Sequence, residues 1–227
     1  MISDSHSDAP DVSLPGYYAK RAQEYERIYA KPERQDDLRT LREFVGETFT
    51  GKDVLEVACG TGYWTEILSK IAASVTAMDI NDEVLAIARS KPLDHRKVTF
   101  LRTDAYALPD FPRQFNGGLA VFWWSHVPKS RQREFLTQFT RAFAPGATIV
   151  LIDNTFVTGS STPISRQDNE GNTYQTRKLD DGSTHEVLKN FPTEEELRLA
   201  VDGLGTDITV KFLPYYWILS WSTNPGA

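Results

Sequence analysis

Apolar residues follow two alternating patterns through the middle of the chain. Short, almost wholly apolar runs are typical of buried strands, and segments with an apolar residue at every third or fourth position are typical of amphipathic helices. Five such strands joined by short helical crossovers predict a parallel sheet covered on both faces by helices. The predicted strands are 53–59, 74–80, 97–105, 117–124 and 147–154, and the predicted helices are 64–72, 82–90 and 129–143.

The segments on either side of this core have other patterns. The polar residues 1–15 predict a disordered tail, and apolar spacing predicts helices over 17–28 and 36–49. Residues 155–192 form a polar insert with two strand-like runs, after which a capping box at Thr193 and Glu196 opens a helix. Two apolar runs then predict a terminal antiparallel pair. The predicted organisation is a tail, 1–15, and one domain, 16–227.

The turn Asp180-Asp181-Gly182 joins the two strand-like runs of the insert into a predicted β-hairpin. A three-residue loop with Gly182 left-handed would place Arg177, His185 and Lys189 on one face. A two-residue loop would place Arg177 and Lys189 on opposite faces. The sequence leaves both registers open.

Composition narrows the possible partners. The chain has 227 residues with a formal net charge of −6, which argues against a general binder of nucleic-acid phosphates. No apolar run reaches the roughly 18 residues of a membrane span, and the N-terminus does not resemble a signal peptide. One cysteine, Cys59, favours a reducing compartment, so we expect a cytoplasmic protein. We also expect a monomer or a homodimer. Four scattered histidines and one cysteine predict no metal site.

A glycine turn directly after the first strand is the strongest sign of a ligand site. Gly60 and Gly62 allow the backbone to approach a ligand closely, and the next helix points its N-terminus at the same place. Thr65 stands where a dinucleotide fingerprint needs its third glycine. Glu56 within the strand favours a cationic amine or sulfonium over a pyrophosphate, and both features argue against a nicotinamide oxidoreductase.

Acidic residues end the next two predicted strands. Asp79 can accept hydrogen bonds from both hydroxyls of a ribose, and Asp104, followed by Ala105, can accept one from an adenine amino group. Because the carboxyl ends of parallel strands lie at one edge of the sheet, we expect these groups to share one site with the glycine turn.

The run Glu-Val-Ala-Cys-Gly-Thr-Gly-Tyr-Trp-Thr, with Asp79 and Asp104-Ala105, resembles the motifs of class I S-adenosylmethionine-dependent methyltransferases. The resemblance implies a Rossmann-like α/β fold, with a seven-stranded, mostly parallel sheet whose last strand is antiparallel. It implies S-adenosylmethionine as cofactor and lid helices over 16–50. The expected cofactor-binding residues are Tyr17, Tyr25, Glu56, Ala58, Gly60, Gly62, Trp64, Asp79, Ile80, Asp104, Ala105 and Phe122.

The end of the fourth strand is expected to face the transferred methyl group. Trp123 could stack on an acceptor, and His126 could act as a general base, so both are candidate catalytic residues. Two further segments, Trp-x-x-His-Val-Pro and Arg-x-Leu-x-Asp-Gly, are similar to small-molecule methyltransferases such as the phosphonate O-methyltransferase of dehydrophos biosynthesis. That similarity implies an acidic acceptor bound by Arg177 and Lys189. The candidate acceptor-binding residues are Tyr29, Trp123, Trp124, Arg177 and Lys189.

The expected function is therefore methylation of an oxygen or nitrogen of a small metabolite in secondary metabolism, with a phosphonate or carboxylate as acceptor. Phe122 replaces a histidine of the similar enzyme, which distinguishes the two acceptor sites. A flat, azapteridine-like acceptor is the alternative, and it rests on Trp123, Trp124, Tyr215, Tyr216 and Trp217. A non-catalytic adenosylmethionine-binding protein is the alternative from another class.

Overall fold

The computed structural model describes residues 13–22 and 24–225. The α-helices are α1 (Ser13–Arg21), α2 (Gln35–Phe49), α3 (Tyr63–Ile71), α4 (Asp82–Ser90), α5 (Gln132–Arg141) and α6 (Glu194–Ala200). The strands are β1 (Asp53–Val57), β2 (Ser74–Asp79), β3 (Val98–Arg102), β4 (Phe115–Val121), β5 (Phe143–Asn154), β6 (Arg166–Gln167), β7 (Thr173–Lys178), β8 (Thr184–Leu188), β9 (Gly205–Phe212) and β10 (Tyr216–Thr223). Short 3₁₀ helices cover Tyr25–Ala30, Pro32–Arg34, Trp124–His126 and Lys129–Arg131.

Seven strands form the main sheet in the order β3-β2-β1-β4-β5-β10-β9. The pairs from β3 through β5 are parallel, whereas β10 is antiparallel to both β5 and β9. This arrangement confirms the predicted Rossmann-like sheet and its antiparallel last strand. The chain reverses its strand order next to β1, where β1 and β4 are neighbours, and ligands of such sheets bind at that crevice.

Apolar side chains of alternate strand residues fill two layers of core, one on each face of the sheet. Val54 packs with residues of α2, α3 and α4, including Leu41 and Leu85. Leu55, the next residue of β1, packs on the opposite face with Phe135 and other residues of α5 and α6. This alternation follows from the two-residue period of a strand and buries both faces of the sheet under helices.

The predicted hairpin forms as β7 and β8, and β6 adds a third strand to this separate sheet, β6-β7-β8. The Leu179 N–H donates to the carbonyl oxygen of Ser183 at 2.9 Å, and Gly182 has a φ of +84°. The three-residue loop is therefore the one that forms, and Arg177 lies opposite His185. Because side chains alternate along a strand, Arg177 and Lys189 share one face.

The structure corrects the N-terminal predictions. Residues 1–12 of the predicted tail lie outside the described residues, whereas residues 13–15 belong to α1. A proline in the first turn of a helix loses no hydrogen bond, so Pro15 does not prevent α1 from beginning at Ser13. The helix predicted over 17–28 ends at Arg21, and the chain continues as the 3₁₀ helix Tyr25–Ala30.

Strand β4 also ends earlier than predicted, at Val121. Phe122 has a φ of +59°, an unfavourable conformation for a bulky residue, and Trp124–His126 then forms a 3₁₀ turn. Such strain persists where the surroundings hold it, and it is frequent at functional sites. Within the part of the chain that the structure covers, none of the helices has the length and apolar character to cross a membrane.

Candidate active site

The glycine turn follows β1 with three left-handed residues. Ala58, Gly60 and Gly62 have φ values of +52°, +55° and +78°. A Cβ atom at Gly62 would lie 2.9 Å from the Cβ of Ala88, so glycine is what lets α3 approach α4. A Cβ at Gly60 would have only the Tyr25 ring near it, at 3.9 Å. Gly60 therefore faces open space under the ring of Tyr25.

Asp79 fixes the glycine turn to the end of β2. One carboxylate oxygen accepts from the Gly60 N–H and the other from the Asn81 N–H, each at 3.0 Å. Burial raises the pKa of Asp79 although these backbone N–H groups oppose the rise. The next residue, Ile80, leaves 39% of its surface exposed, which is unusual for a large apolar side chain.

Asp104 lies at the neighbouring strand end, and its side chain is exposed. One of its oxygens accepts the Tyr106 N–H at 2.9 Å, and the Ala105 side chain is buried beside it. An exposed apolar side chain at Ile80 next to exposed acceptors suits a flat nucleobase with an amino group. The three strand ends thus fit the adenosine part of S-adenosylmethionine.

Glu56 is 1% exposed and lies in β1 beneath the glycine turn. Its Oε2 accepts from the Thr65 hydroxyl at 2.6 Å. Burial raises the pKa of Glu56 to about 8, so the carboxyl group is protonated at neutral pH. A cationic ligand beside it would favour the ionised form, which agrees with a ligand that carries an ammonium and a sulfonium.

The 3₁₀ helix Tyr25–Ala30, which follows α1, packs against the glycine turn. Glu26 accepts from the Thr61 hydroxyl at 2.8 Å and pairs with the Lys91 ammonium at 2.6 Å. This holds Tyr25 over Gly60, as expected for a cofactor lid. Tyr17, by contrast, is buried against Leu179 of the insert. The Trp64 side chain is also buried in the core, so the cofactor contacts expected of Tyr17 and Trp64 stay predictions.

A cavity of about 330 Å³ lies between the N-terminal segment, the end of β4 and the insert. Phe122 lines it on the side of β4, and Tyr25 lines it on the side of the glycine turn. Among the described residues, Glu24 is the one acidic side chain in its wall. The wall contains six basic side chains, Arg21, Lys31, Arg34, Arg177, Lys178 and Lys189.

Arg177 and Lys189 both line this cavity but differ in their partners. The Arg177 guanidinium donates to Oε1 of Gln175 at 2.7 Å and, within the described part of the chain, has no carboxylate within ion-pair distance. The Lys189 ammonium is buried and donates to Asp153 at 2.8 Å and to the Ser125 hydroxyl at 2.5 Å. Burial lowers the pKa of Lys189, and Asp153 opposes that change. Lys189 keeps a third N–H for a ligand.

His126 is buried at the end of the 3₁₀ turn after β4. Its Nδ1 lies 2.6 Å from the Leu188 carbonyl oxygen, which can only accept, so Nδ1 carries the proton. Its Nε2 then accepts from the Tyr18 hydroxyl at 2.7 Å. Burial, with Lys189 and Arg177 nearby, lowers the pKa of His126 well below 6.5. His126 is therefore neutral, with its basic nitrogen directed toward Tyr18.

The structure moves three predicted acceptor-binding aromatics away from the cavity wall. Trp123 packs against Tyr106 and Phe135 at ring distances of 5.8 and 6.0 Å, and Trp124 is 2% exposed in the same core layer. Tyr29 stacks on Tyr63 at 3.6 Å. For the two indoles, the strained turn at Phe122 is the reason, because it directs them toward α5 instead of along the strand end.

The sequence patterns missed Tyr18 and Arg34 as residues of the cavity wall and Asp153 as the partner of Lys189. Tyr18 lies in the predicted helix 17–28, Arg34 lies between the two predicted N-terminal helices, and Asp153 is one acid in an apolar strand. Tyr18 contacts His126 and Arg34 contacts Ser160, each more than a hundred residues away in sequence. Asp153 pairs with Lys189 at the far end of the insert. No local motif could have identified them.

Comparisons with known proteins agree with this geometry. Residues 54–146 match the methyltransferase domain family. The solved structure of DhpI in complex with SAH is 31% identical, with a TM-score of 0.76, over 94% of this chain and 97% of that one. The present chain belongs to the class I S-adenosylmethionine-dependent methyltransferases. Family members bind S-adenosylmethionine, so the predicted cofactor is confirmed.

Two further comparisons define how far the family likeness extends. The DhpI–SAM–HEP complex is 29% identical, with a TM-score of 0.77, over 95% of this chain and 99% of that one. Demethylmenaquinone methyltransferase of Tropheryma whipplei is 32% identical over 103 residues, which are 45% of this chain and 42% of that enzyme. The match thus spans less than half the length of that curated methyltransferase.

Proposed function

We propose that this methyltransferase transfers a methyl group from S-adenosylmethionine to an oxygen or nitrogen of a small acidic metabolite, a phosphonate or carboxylate, in secondary metabolism. The observation that carries the proposal is the charge of the cavity. Among the described residues, six basic side chains, of which Lys189 is paired with Asp153, and one acidic side chain line a space of about 330 Å³ in a protein with a net charge of −6. A cationic cavity in an acidic protein selects anions.

The position of the cavity supports transfer. Phe122 and Tyr25 line the cavity, and Tyr25 also covers Gly60, so the acceptor space adjoins the proposed cofactor site. S-adenosylmethionine, when bound, supplies a methyl group on a positively charged sulfur that leaves as a neutral thioether. The protein has to align the acceptor and exclude water, and the N-terminal segment that lines the cavity is placed to serve both purposes.

Arg177 is the residue we propose to bind and orient the acid, with Lys189 as its neighbour. A guanidinium with no carboxylate partner can donate two parallel hydrogen bonds to a phosphonate or carboxylate. An ionised acid oxygen needs no base. When the acceptor atom carries a proton, the neutral Nε2 of His126 can take it through the Tyr18 hydroxyl.

The relatives support the acidic acceptor over the flat one. The DhpI–SAM–HEP complex shows that the similar protein binds HEP together with SAM. The flat heteroaromatic alternative rested on five aromatic residues. Of these, Trp124 and Trp217 are buried in the core, and Trp123 packs against that core. Tyr216 does line the cavity, but it stacks against Phe122 as part of the wall.

Replacement of Arg177 tests the proposal. Arg177→Gln should lower kcat/KM for an acidic acceptor about 30-fold or more, because a hydrogen-bonded charge pair contributes ~2–3 kcal/mol. The Kd for S-adenosylhomocysteine should stay within about twofold of wild type. Arg166→Gln is the matched control, because Arg166 lies in the same small sheet and pairs with Glu186 outside the cavity. Equal kinetics in Arg177→Gln and Arg166→Gln would refute the assignment.

A further inference from the structure

The cavity contains a second cationic group, distant in sequence from the insert. Arg34 closes the 3₁₀ helix Pro32–Arg34 and Lys31 precedes it, and both line the cavity. Arg34 is 7% exposed. A buried guanidinium is costly unless an opposite charge or a full set of hydrogen bonds compensates it.

Arg34 lacks that compensation within the described structure. One terminal nitrogen donates to the Ser160 hydroxyl at 3.1 Å, while its buried Nε has no hydrogen-bond partner. No carboxylate of the described residues lies within ion-pair distance of it. Glu33 instead accepts from Ser160 at 3.1 Å, and Asp37 accepts the Tyr215 N–H at 2.7 Å.

The surroundings hold the Arg34 side chain in place. Its guanidinium lies 5.2 Å from the ring centre of Tyr215 and 5.6 Å from that of Tyr216, at cation–π distance. Lys31 reaches the Ser160 carbonyl oxygen at 3.4 Å, and burial together with Arg34 lowers the pKa of Lys31. Two neighbouring cations thus line one part of the cavity without an ion-pair partner among the described residues.

This pair is separate from the cations of the insert. Arg177 rests on Gln175 of β7, whereas Arg34 rests on Ser160 and the start of β10. The two arginines share no hydrogen-bond partner in the described structure. A volume of about 330 Å³ equals that of roughly ten liquid water molecules, which is more than one acidic group needs.

We propose that the acceptor is a small diacid, and that Arg34, with Lys31, binds its second anionic group while Arg177 binds the first. This inference rests on the proposed function and specifies its substrate class. The second anion supplies the charge that buried Arg34 lacks. Arg34 is then a residue that determines specificity between diacids and monoacids of equal length.

Matched ligand pairs test the proposal by titration calorimetry with S-adenosylhomocysteine present. The diacids are phosphonoacetate, 3-phosphonopropionate and 4-phosphonobutyrate, and the corresponding monoacids are ethyl-, propyl- and butylphosphonate. In the wild type, at least one diacid should bind about tenfold or more tightly than its monoacid. Arg34→Gln should remove that advantage and leave monoacid binding unchanged. Arg39→Gln, on the exposed side of α2, is the control.

The possible outcomes separate the two proposals. Equal binding of diacids and monoacids by the wild type, or an advantage that survives Arg34→Gln, would overturn the diacid inference while the acidic acceptor stands. Binding of S-adenosylhomocysteine without any acid would overturn both. If Arg34→Gln does not fold, as judged by its affinity for S-adenosylhomocysteine, Lys31→Gln should reduce the diacid advantage about threefold, and an undiminished advantage would refute the inference.

Discussion

The two halves of the site are built differently. The cofactor edge is made of strand ends and one turn, where Glu56, Gly60 and Asp79 lie within 24 residues of each other. The acceptor cavity combines Tyr18, Arg34, His126 and Arg177 from four separate segments.

Short sequence motifs identified the cofactor edge because backbone groups of a few neighbouring residues build it. The glycine turn and the N–H groups that bind Asp79 are backbone features, and the order of the strands brings them together. The cavity depends on side chains whose neighbours are decided by the packing of the insert on the N-terminal segment.

The largest single loss of stability is expected from a substitution at the glycine turn of the cofactor edge. Gly62→Ala should lower the free energy of unfolding by about 2–4 kcal/mol, since the left-handed backbone and the 2.9 Å approach to Ala88 both penalise a Cβ. Gly60→Ala should cost only about 1 kcal/mol, because its Cβ would enter open space. Urea denaturation measures both, and equal losses would show that close packing at Gly62 is not what requires glycine.

An effect that is smaller over any one pH unit is expected from the buried carboxyl group of Glu56. Its pKa is about 8 in the folded protein, above the ordinary value of 4.5. Its contribution to stability is complete below pH 4.5 and is lost as the pH rises through 8. Between these values, wild type should lose stability relative to Glu56→Gln by up to about 1.4 kcal/mol per pH unit. Unfolding free energies measured from pH 5 to 8.5 test this, and parallel curves would contradict a protonated Glu56.

The smallest effect is expected at Trp123. Because its indole packs on Tyr106 and Phe135, Trp123→Phe should change the KM of the acceptor less than twofold and lower stability by about 1 kcal/mol. Steady-state kinetics and thermal unfolding measure the two quantities. A large rise in KM with unchanged stability would return Trp123 to the acceptor site and restore the flat-acceptor alternative.

The strands of the main sheet could be predicted because each carries its own apolar run. The capping box at Thr193 and Glu196 also forms as predicted. The sequence left two registers open for Arg177 and Lys189, and the left-handed Gly182 of the three-residue loop places them on one face. It failed at Phe122, because nothing local predicts a positive φ at a phenylalanine. It failed at Arg34 because a guanidinium without a counter-charge is visible only after the chain has folded.

The most direct test of the central claim is product formation from paired acceptors. The protein is incubated with S-adenosylmethionine and with small phosphonates and carboxylates, each paired with its dimethyl ester or primary amide, and methylated products are detected by mass spectrometry. The account predicts product and S-adenosylhomocysteine from acids, and none from their neutral partners. Equal methylation of the neutral partners would contradict it, as would S-adenosylmethionine binding without any transfer to an acid.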